Sequence, residues 1–236
     1  SLAACDHGIE TVILERDDYP SGSTALSSGM IPACDTYAQR RAGVVDSPGQ
    51  MGSDIQGKAQ GQAPNDVVKA VCEASGPAID WLRETHAVEL ELVEGFLYPG
   101  HSVPRMHAPP SRTGAALMGS LLNARERTES LLMCGARVTT LFTDGNGVIT
   151  GAEINRTDGS SERIGCRNLL LACNGYGGNK AMVCEHIPEM ASAEYFGHPG
   201  NQGDAVNWGQ DLGAEIGHMT AYQGHGSVAT PHGILI

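Results

Sequence analysis

One stretch constrains this chain more than any other: the short apolar run Asn168-Leu-Leu-Leu-Ala-Cys173 ends directly in the glycine-rich turn Asn174-Gly-Tyr-Gly-Gly-Asn179. The run is short enough for a strand and too short for a helix, and it offers no polar face. A strand of that kind belongs in a parallel sheet covered on both sides. Open sheets of this class take their ligands just beyond the carboxyl ends of the strands. The sequence therefore predicts a buried parallel strand over 168–173 whose end, with Tyr176 set among glycines, lies against a ligand.

A second apolar run makes the same demand earlier. Gly8-Ile-Glu-Thr-Val-Ile-Leu-Glu15 reads as a helix stop followed by a buried strand that closes on an acid. Residues 21–29, Ser-Gly-Ser-Thr-Ala-Leu-Ser-Ser-Gly, read as a small, polar loop whose backbone can lie close to a ligand. An amphipathic helix is predicted over 65–86, with Asn65 as N-cap and Val67, Val71, Ile79 and Leu82 inward; Gly76-Pro77 is a place where it can break in two. Residues 95–112 read as a long surface loop, and 113–134 as a second helix with Leu131 and Leu132 on its apolar side. The period then changes. Strands at 138–143, 148–156 and 162–166, separated by Asp144-Gly-Asn-Gly147 and Thr157-Asp-Gly-Ser160, make an antiparallel meander.

Composition narrows the partners. A net charge of −12 argues against nucleic acid, whose phosphates need a basic face. Seven cysteines, an odd number with no Cys-x-x-Cys spacing, argue against a disulfide framework and against a zinc site, so no metal is expected and a cytoplasmic setting is the simplest. No apolar run reaches the ~20 residues of a membrane helix, so no membrane partner is expected.

Several positions suit ligand chemistry. Glu15 stands where dinucleotide-binding folds place the acid that accepts from ribose hydroxyls, although the glycine loop that would confirm it is not seen ahead of it and an ordinary strand-end Glu reads the same way. Ser21 to Thr24 and Ser27 to Gly29 combine small residues with hydroxyls, as a phosphate-facing loop or a plain polar one would. Asp204, after Gly203, suits a helix N-cap or a ligand contact. His225 lies in Gln223-Gly-His-Gly-Ser227.

Five pieces in this order carry a family resemblance: Ser21-Gly-Ser-Thr24 with Ser28-Gly29; Ala172-Cys-Asn-Gly175 with Gly177-Gly-Asn179; Gln202-Gly-Asp-Ala205; Leu212-Gly-Ala214; and Gln223-Gly-His-Gly-Ser227. The chain resembles the fumarate reductase/succinate dehydrogenase flavoproteins, a family that also takes in ketosteroid dehydrogenases. The resemblance implies an α/β fold: an FAD/NAD(P)-binding (Rossmann-like) domain with a parallel sheet and an antiparallel β-meander, whose first strand and glycine loop would precede residue 1. It implies an FAD-binding domain over 1–222 and the start of a substrate-capping domain over 223–236. A chain without that first strand is expected to hold FAD weakly and to have no turnover by itself.

The same resemblance implies roles. Glu15 would bind the adenosine ribose. Gly22, Ser23, Thr24, Ser28 and Gly29 would line the pyrophosphate and isoalloxazine, and Val138 would meet the adenine through its backbone. Ala172, Asn174 and Gly175 would pass along the adenosine side, with Asp204 near the ribityl chain or diphosphate. His225 would be the catalytic residue that hydrogen-bonds a substrate carboxylate. The 22–24 loop has no His where covalent members carry one, which implies non-covalent FAD, and the Pro-Thr that follows the family His is Gly226-Ser227 here. The family's proton-donating Arg would lie past residue 236, and neither Arg105 nor Arg112 replaces it. Implied partners are a small-molecule substrate and an electron donor or acceptor whose identity the sequence leaves open. A ketosteroid-type dehydrogenase and a non-catalytic nucleotide-binding domain are the alternatives.

Overall fold

The structure, a computed structural model, describes residues 1–222, 228–229 and 234–235. It divides into two units, Ser1–Ile13 with Ser23–Leu132, and Leu14–Gly22 with Met133–Ile236. The chain is mixed α/β, with one parallel strand pair and antiparallel sheets besides.

Helix α1 (Leu2–Asp6) stops at His7 and Gly8, and the left-handed Gly8 turns the chain into β1 (Val12–Leu14). Residues 22–26, read as loop, wind into a single helical turn, α2 (Gly22–Leu26). Ala25 and Leu26 favour helix, and Ser27 closes the turn by donating its hydroxyl to the Thr24 carbonyl (2.7 Å). Strand β2 (Ile31–Pro32) follows, then α3 (Tyr37–Arg41), α4 (Pro48–Lys58) and α5 (Asn65–Glu84). The N-cap of α5 is Pro64, one residue before the expected Asn65, and no side chain caps it. The helix continues through Pro77 without breaking in two. The residue before a proline usually leaves the α region because its Cβ meets the ring, and Gly76 has none. The inward face is Cys72, Gly76 and Ile79; Val67 and Val71, expected inside, are about half exposed.

Strands β3 (Glu91–Leu92) and β4 (Met106–Ala108) complete an antiparallel sheet in the order β2-β4-β3, so a central buried strand lies inside the stretch read as surface loop. Pro104 and Pro109 bracket only four residues, too few for alternation to show. Helix α6 (Gly114–Glu126) is capped by the Thr113 hydroxyl and ends eight residues before the expected 134. Leu131 and Leu132 instead belong to β5 (Leu131–Met133), whose backbone pairs with β1: the Leu131 N–H donates to Thr11 O (3.0 Å) and the Glu15 N–H to Met133 O (2.9 Å). Both bonds advance in the same direction along the two strands, which makes the pair parallel. Leu2, Ala33, Ile79, Val88, Leu90, Leu117 and Ala124 form the main core of this first unit.

In the second unit β6 (Ala136–Thr143), β7 (Ile149–Arg156) and β8 (Ser161–Gly165) form the meander that the turn residues forecast. Its register shifts between Val138 and Thr140, leaving Thr139 as a bulge. The apolar run 168–173 is not a strand and is not buried: no ladder forms there, and Leu170 is 87% exposed. A parallel strand exists only by pairing, and no described strand lies alongside to pair with it. Helices α7 (Lys180–His186) and α8 (Asp204–Asp211) follow, then the short antiparallel pair β9 (Val228–Ala229) and β10 (Ile234–Leu235).

Candidate functional site

The strand-end acid is held firmly by its backbone. The Glu15 N–H donates to Met133 O and its carbonyl accepts from Ala136 N (2.8 Å), so the chain on both sides of Cys134-Gly135 grips it. One carboxylate oxygen of Glu15 accepts from the Asp17 N–H (2.9 Å). Because Ala136 begins β6, the same bond brings Val138 to within two residues of the acid. Val138 stands beside the Thr139 bulge on an edge strand, where backbone groups on one side are not taken by β7. The structure thus sets Glu15 and Val138 on adjoining stretches of the second unit.

The glycine-rich turn is tied to the start of α8. Gly203 N donates to Gly175 O (3.1 Å), Gly178 N to Asn201 O (2.9 Å), and Asn179 Nδ2 to Gln202 O (2.9 Å). This places Asn174 and Gly175 near Asp204, the first residue of α8. Asn174 sits in the left-handed region (φ +63°), with its own Oδ1 accepting from Gly175 N (2.8 Å). Asn is among the few non-glycine residues that tolerate that conformation, because its side chain can satisfy a local N–H. Ala172 and Asn174 are exposed. Although Cys173 is exposed as a residue, partial desolvation of its thiol pushes its pKa up from the ordinary value.

In the first unit Ser23, Thr24, Ser28 and Gly29 share a loop that rests on the start of α6. Gly114 N donates to Ser27 O (2.7 Å), and Ser27 Oγ in turn accepts from Gly29 N (3.0 Å). A Cβ on Gly114 would come within 1.8 Å of Thr24 O, so only glycine allows the contact. Thr24 and Ser28 remain exposed. Gly22, in the other unit, has φ +57° and open space where a side chain would be.

Within the second unit, the carboxylate of Glu15 sits at the end of a parallel strand and nothing lies within 4 Å of a Cβ built on Gly175 or Gly22, which suits a nucleotide lying against the backbone. Within the first unit, Thr24 and Ser28 expose hydroxyl-bearing side chains on a turn fixed by Ser27. His225 lies outside the described residues.

The buried polar network around β4 escaped sequence reading. Arg105, with no exposed side-chain surface, donates to Asp46 (2.7 and 2.8 Å) and forms a very short contact with Asp54. Burial would raise the Asp54 pKa, but hydrogen bonds from Arg105 and Ser102 outweigh it and hold the carboxyl at about 2. His107 Nδ1 lies 2.8 Å from Arg105 O, which can only accept, so that nitrogen carries the proton; Nε2 then accepts from Thr36 Oγ1 (2.8 Å). Burial lowers the His107 pKa.

The sequence matches the FAD binding domain family over residues 1–236. The chain belongs to the FAD binding domain family. Its cofactor is FAD. A urocanate reductase of Eggerthella lenta is 27% identical over 239 residues, covering 100% of this chain and 39% of the relative. A cytochrome-type fumarate reductase of Shewanella frigidimarina is 24% identical over 242 residues, again over 100% of this chain and 41% of the relative. The chain thus spans about two fifths of the curated relatives it matches. Among solved structures, the 3-ketosteroid-Δ4-(5α)-dehydrogenase of Rhodococcus jostii RHA1 superposes with TM-score 0.83 at 25% identity, over 93% of this chain and 52% of that one. An open flavocytochrome c3 fumarate reductase superposes with TM-score 0.82 at 24% identity, over 91% and 38%. The FAD binding domain therefore shares its fold with both groups. Among the described residues no helix is long and apolar enough to cross a membrane.

Proposed function

We propose that this chain is the FAD-binding part of an oxidoreductase that moves a hydride between flavin and a carbon–carbon bond next to a carbonyl or carboxylate. The observation that carries this reading is that relatives matching the whole chain are named for urocanate and fumarate, two acids whose double bond is conjugated to a carboxylate. FAD, when bound, supplies the hydride chemistry; the protein supplies binding, orientation and electrostatics. Glu15 would accept from the adenosine ribose, with Val138 beside the adenine. Ala172, Asn174, Gly175 and Asp204 would follow the cofactor toward its diphosphate, and Gly22, Ser23, Thr24, Ser28 and Gly29 would line the pyrophosphate and isoalloxazine. Residues 1–222 would be the cofactor domain and 223–236 the start of a substrate-capping domain, in which His225 would donate to a substrate carboxylate and stabilise developing enolate charge. FAD would be held non-covalently, since the 22–24 loop has no His to attach it. A small-molecule substrate, an electron partner and a cytoplasmic setting complete the reading.

The superposition on a ketosteroid dehydrogenase bound to 4-androstene-3,17-dione favours a second reading, a steroid dehydrogenase on the same scaffold. The test is anaerobic reduction of the whole FAD-loaded protein, followed by addition of fumarate, urocanate or 4-androstene-3,17-dione. Reoxidation by either acid is expected. Reoxidation by the steroid alone selects the second reading, and reoxidation by none leaves a nucleotide-binding domain without this chemistry.

A further inference from the structure

Residues 195–203 do two jobs that no motif foretold. At one end they grip the glycine-rich turn: Gly178 N donates to Asn201 O, and Gln202 Nε2 donates to Gly178 O (3.0 Å). At the other they grip the residues just after the strand-end acid. His198 Nδ1 accepts from Gly200 N (3.0 Å), so the ring proton sits on Nε2 and is donated to Asp17 Oδ2 (2.9 Å). Arg16 lies directly against Gly200, where a Cβ would come within 2.1 Å of Nη2, and its Nε donates to the other oxygen of Asp17 (3.1 Å). The Asp17 N–H is the group that fixes the Glu15 carboxylate. One segment therefore spans the two places, Glu15 and Asn174-Gly175, that are assigned to the adenosine half of the cofactor.

We propose that residues 195–203 are a clamp on the adenosine half of FAD, and that His198 and Asp17 are positioning residues whose hydrogen bond keeps it shut. The clamp rests on the flavin reading above. His198 touches no reacting atom; it acts by fixing Asp17, and through the Asp17 N–H the carboxylate that meets the ribose. A segment fastened at two places must let go at one before a nucleotide beneath it can leave, and the His198–Asp17 contact is the more solvent-accessible fastening, its side chains 21% and 34% exposed.

The experiment uses the whole protein loaded with FAD. Release is followed by the recovery of free-flavin fluorescence on dilution. His198→Ala and Asp17→Asn are each expected to release FAD roughly tenfold faster, as loss of one charge-assisted hydrogen bond predicts. The double variant should be no faster than either single one, and His198→Gln, which keeps a donor of similar reach, should restore much of the wild-type rate. A purely structural role would lower stability without this non-additive pattern in the release rate. Amide exchange on the wild-type protein needs no variant to fold: ADP, which carries only the adenosine half, should slow exchange at residues 195–203. Wild-type release rates in both single variants, additive effects, or exchange unchanged by ADP would overturn the clamp. A wild-type protein that takes up no FAD would instead end the flavin reading on which the clamp stands.

Discussion

Replacing Gly114 by Ala should unfasten the loop that carries Ser23, Thr24, Ser28 and Gly29. The added methyl would lie 1.8 Å from Thr24 O and 2.7 and 2.8 Å from the side-chain and backbone oxygens of Ser27. Ordinary contact needs about 3.5 Å, so the loop must retreat by roughly 1.5 Å or more. All three atoms belong to a self-bonded turn that cannot bend away piecemeal, and the retreat breaks the Gly114 N to Ser27 O bond. Overpacking of this kind costs about 1–3 kcal/mol and the lost bond about 1 more, for a total of about 2–4 kcal/mol. Gly119 in the same helix provides the control, because nothing lies within 4 Å of its would-be Cβ. Gly119→Ala should therefore stabilise by about 0.5–1 kcal/mol through helix propensity alone. Urea midpoints of the two variants, followed by far-ultraviolet circular dichroism, should move in opposite directions, and FAD affinity should fall only in Gly114→Ala. A Gly114→Ala protein as stable as wild type, with unchanged FAD affinity, would refute the claim that this loop is seated on the end of α6.

Three further outcomes are expected. Arg105→Met strands Asp46 and Asp54 beside a buried neutral side chain and should cost about 3–5 kcal/mol, read from the same urea midpoints. His107, whose pKa burial lowers from its ordinary 6.5, stabilises the fold fully above that pH. Below it the unfolded chain takes up a proton that the buried ring refuses, so stability falls as pH drops toward the lower folded value. His107→Gln should flatten that slope between pH 7.5 and 5.5, and an unchanged slope would assign the effect to other groups. Asn174→Ala should lose about 1–2 kcal/mol at its left-handed position while Asn174→Gly stays near neutral, checked by thermal midpoint.

What the sequence showed followed the range over which each signal acts. The meander was legible because Asp144-Gly-Asn-Gly147 and Thr157-Asp-Gly-Ser160 specify turns locally, and the helix stop and strand of residues 8–15 were legible because a glycine stop and an apolar run adjoin, although β1 is partly exposed rather than buried. Leu131 and Leu132 were misassigned to a helix because three apolar residues carry no period; only pairing with Thr11 to Glu15, more than a hundred positions away, makes them a strand. The run 168–173 failed for the converse reason, since its apolar character announces a strand but cannot supply the neighbour a ladder requires. The residues that hold the motif segments in place were not visible in the sequence. Asp17, His198 and Arg105 act through contacts distant in sequence, and nothing in their immediate surroundings distinguishes them from surface charges.

The account's central claim is that residues 1–236 belong to a protein that carries FAD in a reversible, non-covalent way. The most direct measurement is the visible spectrum of the whole purified protein, followed by acid precipitation and identification of whatever stays in solution. The prediction is an oxidised flavin spectrum, with FAD released to the supernatant in a one-to-one ratio to protein. A flavin that remains with the precipitate would contradict the non-covalent reading, and a colourless protein that takes up no added FAD would contradict the account as a whole.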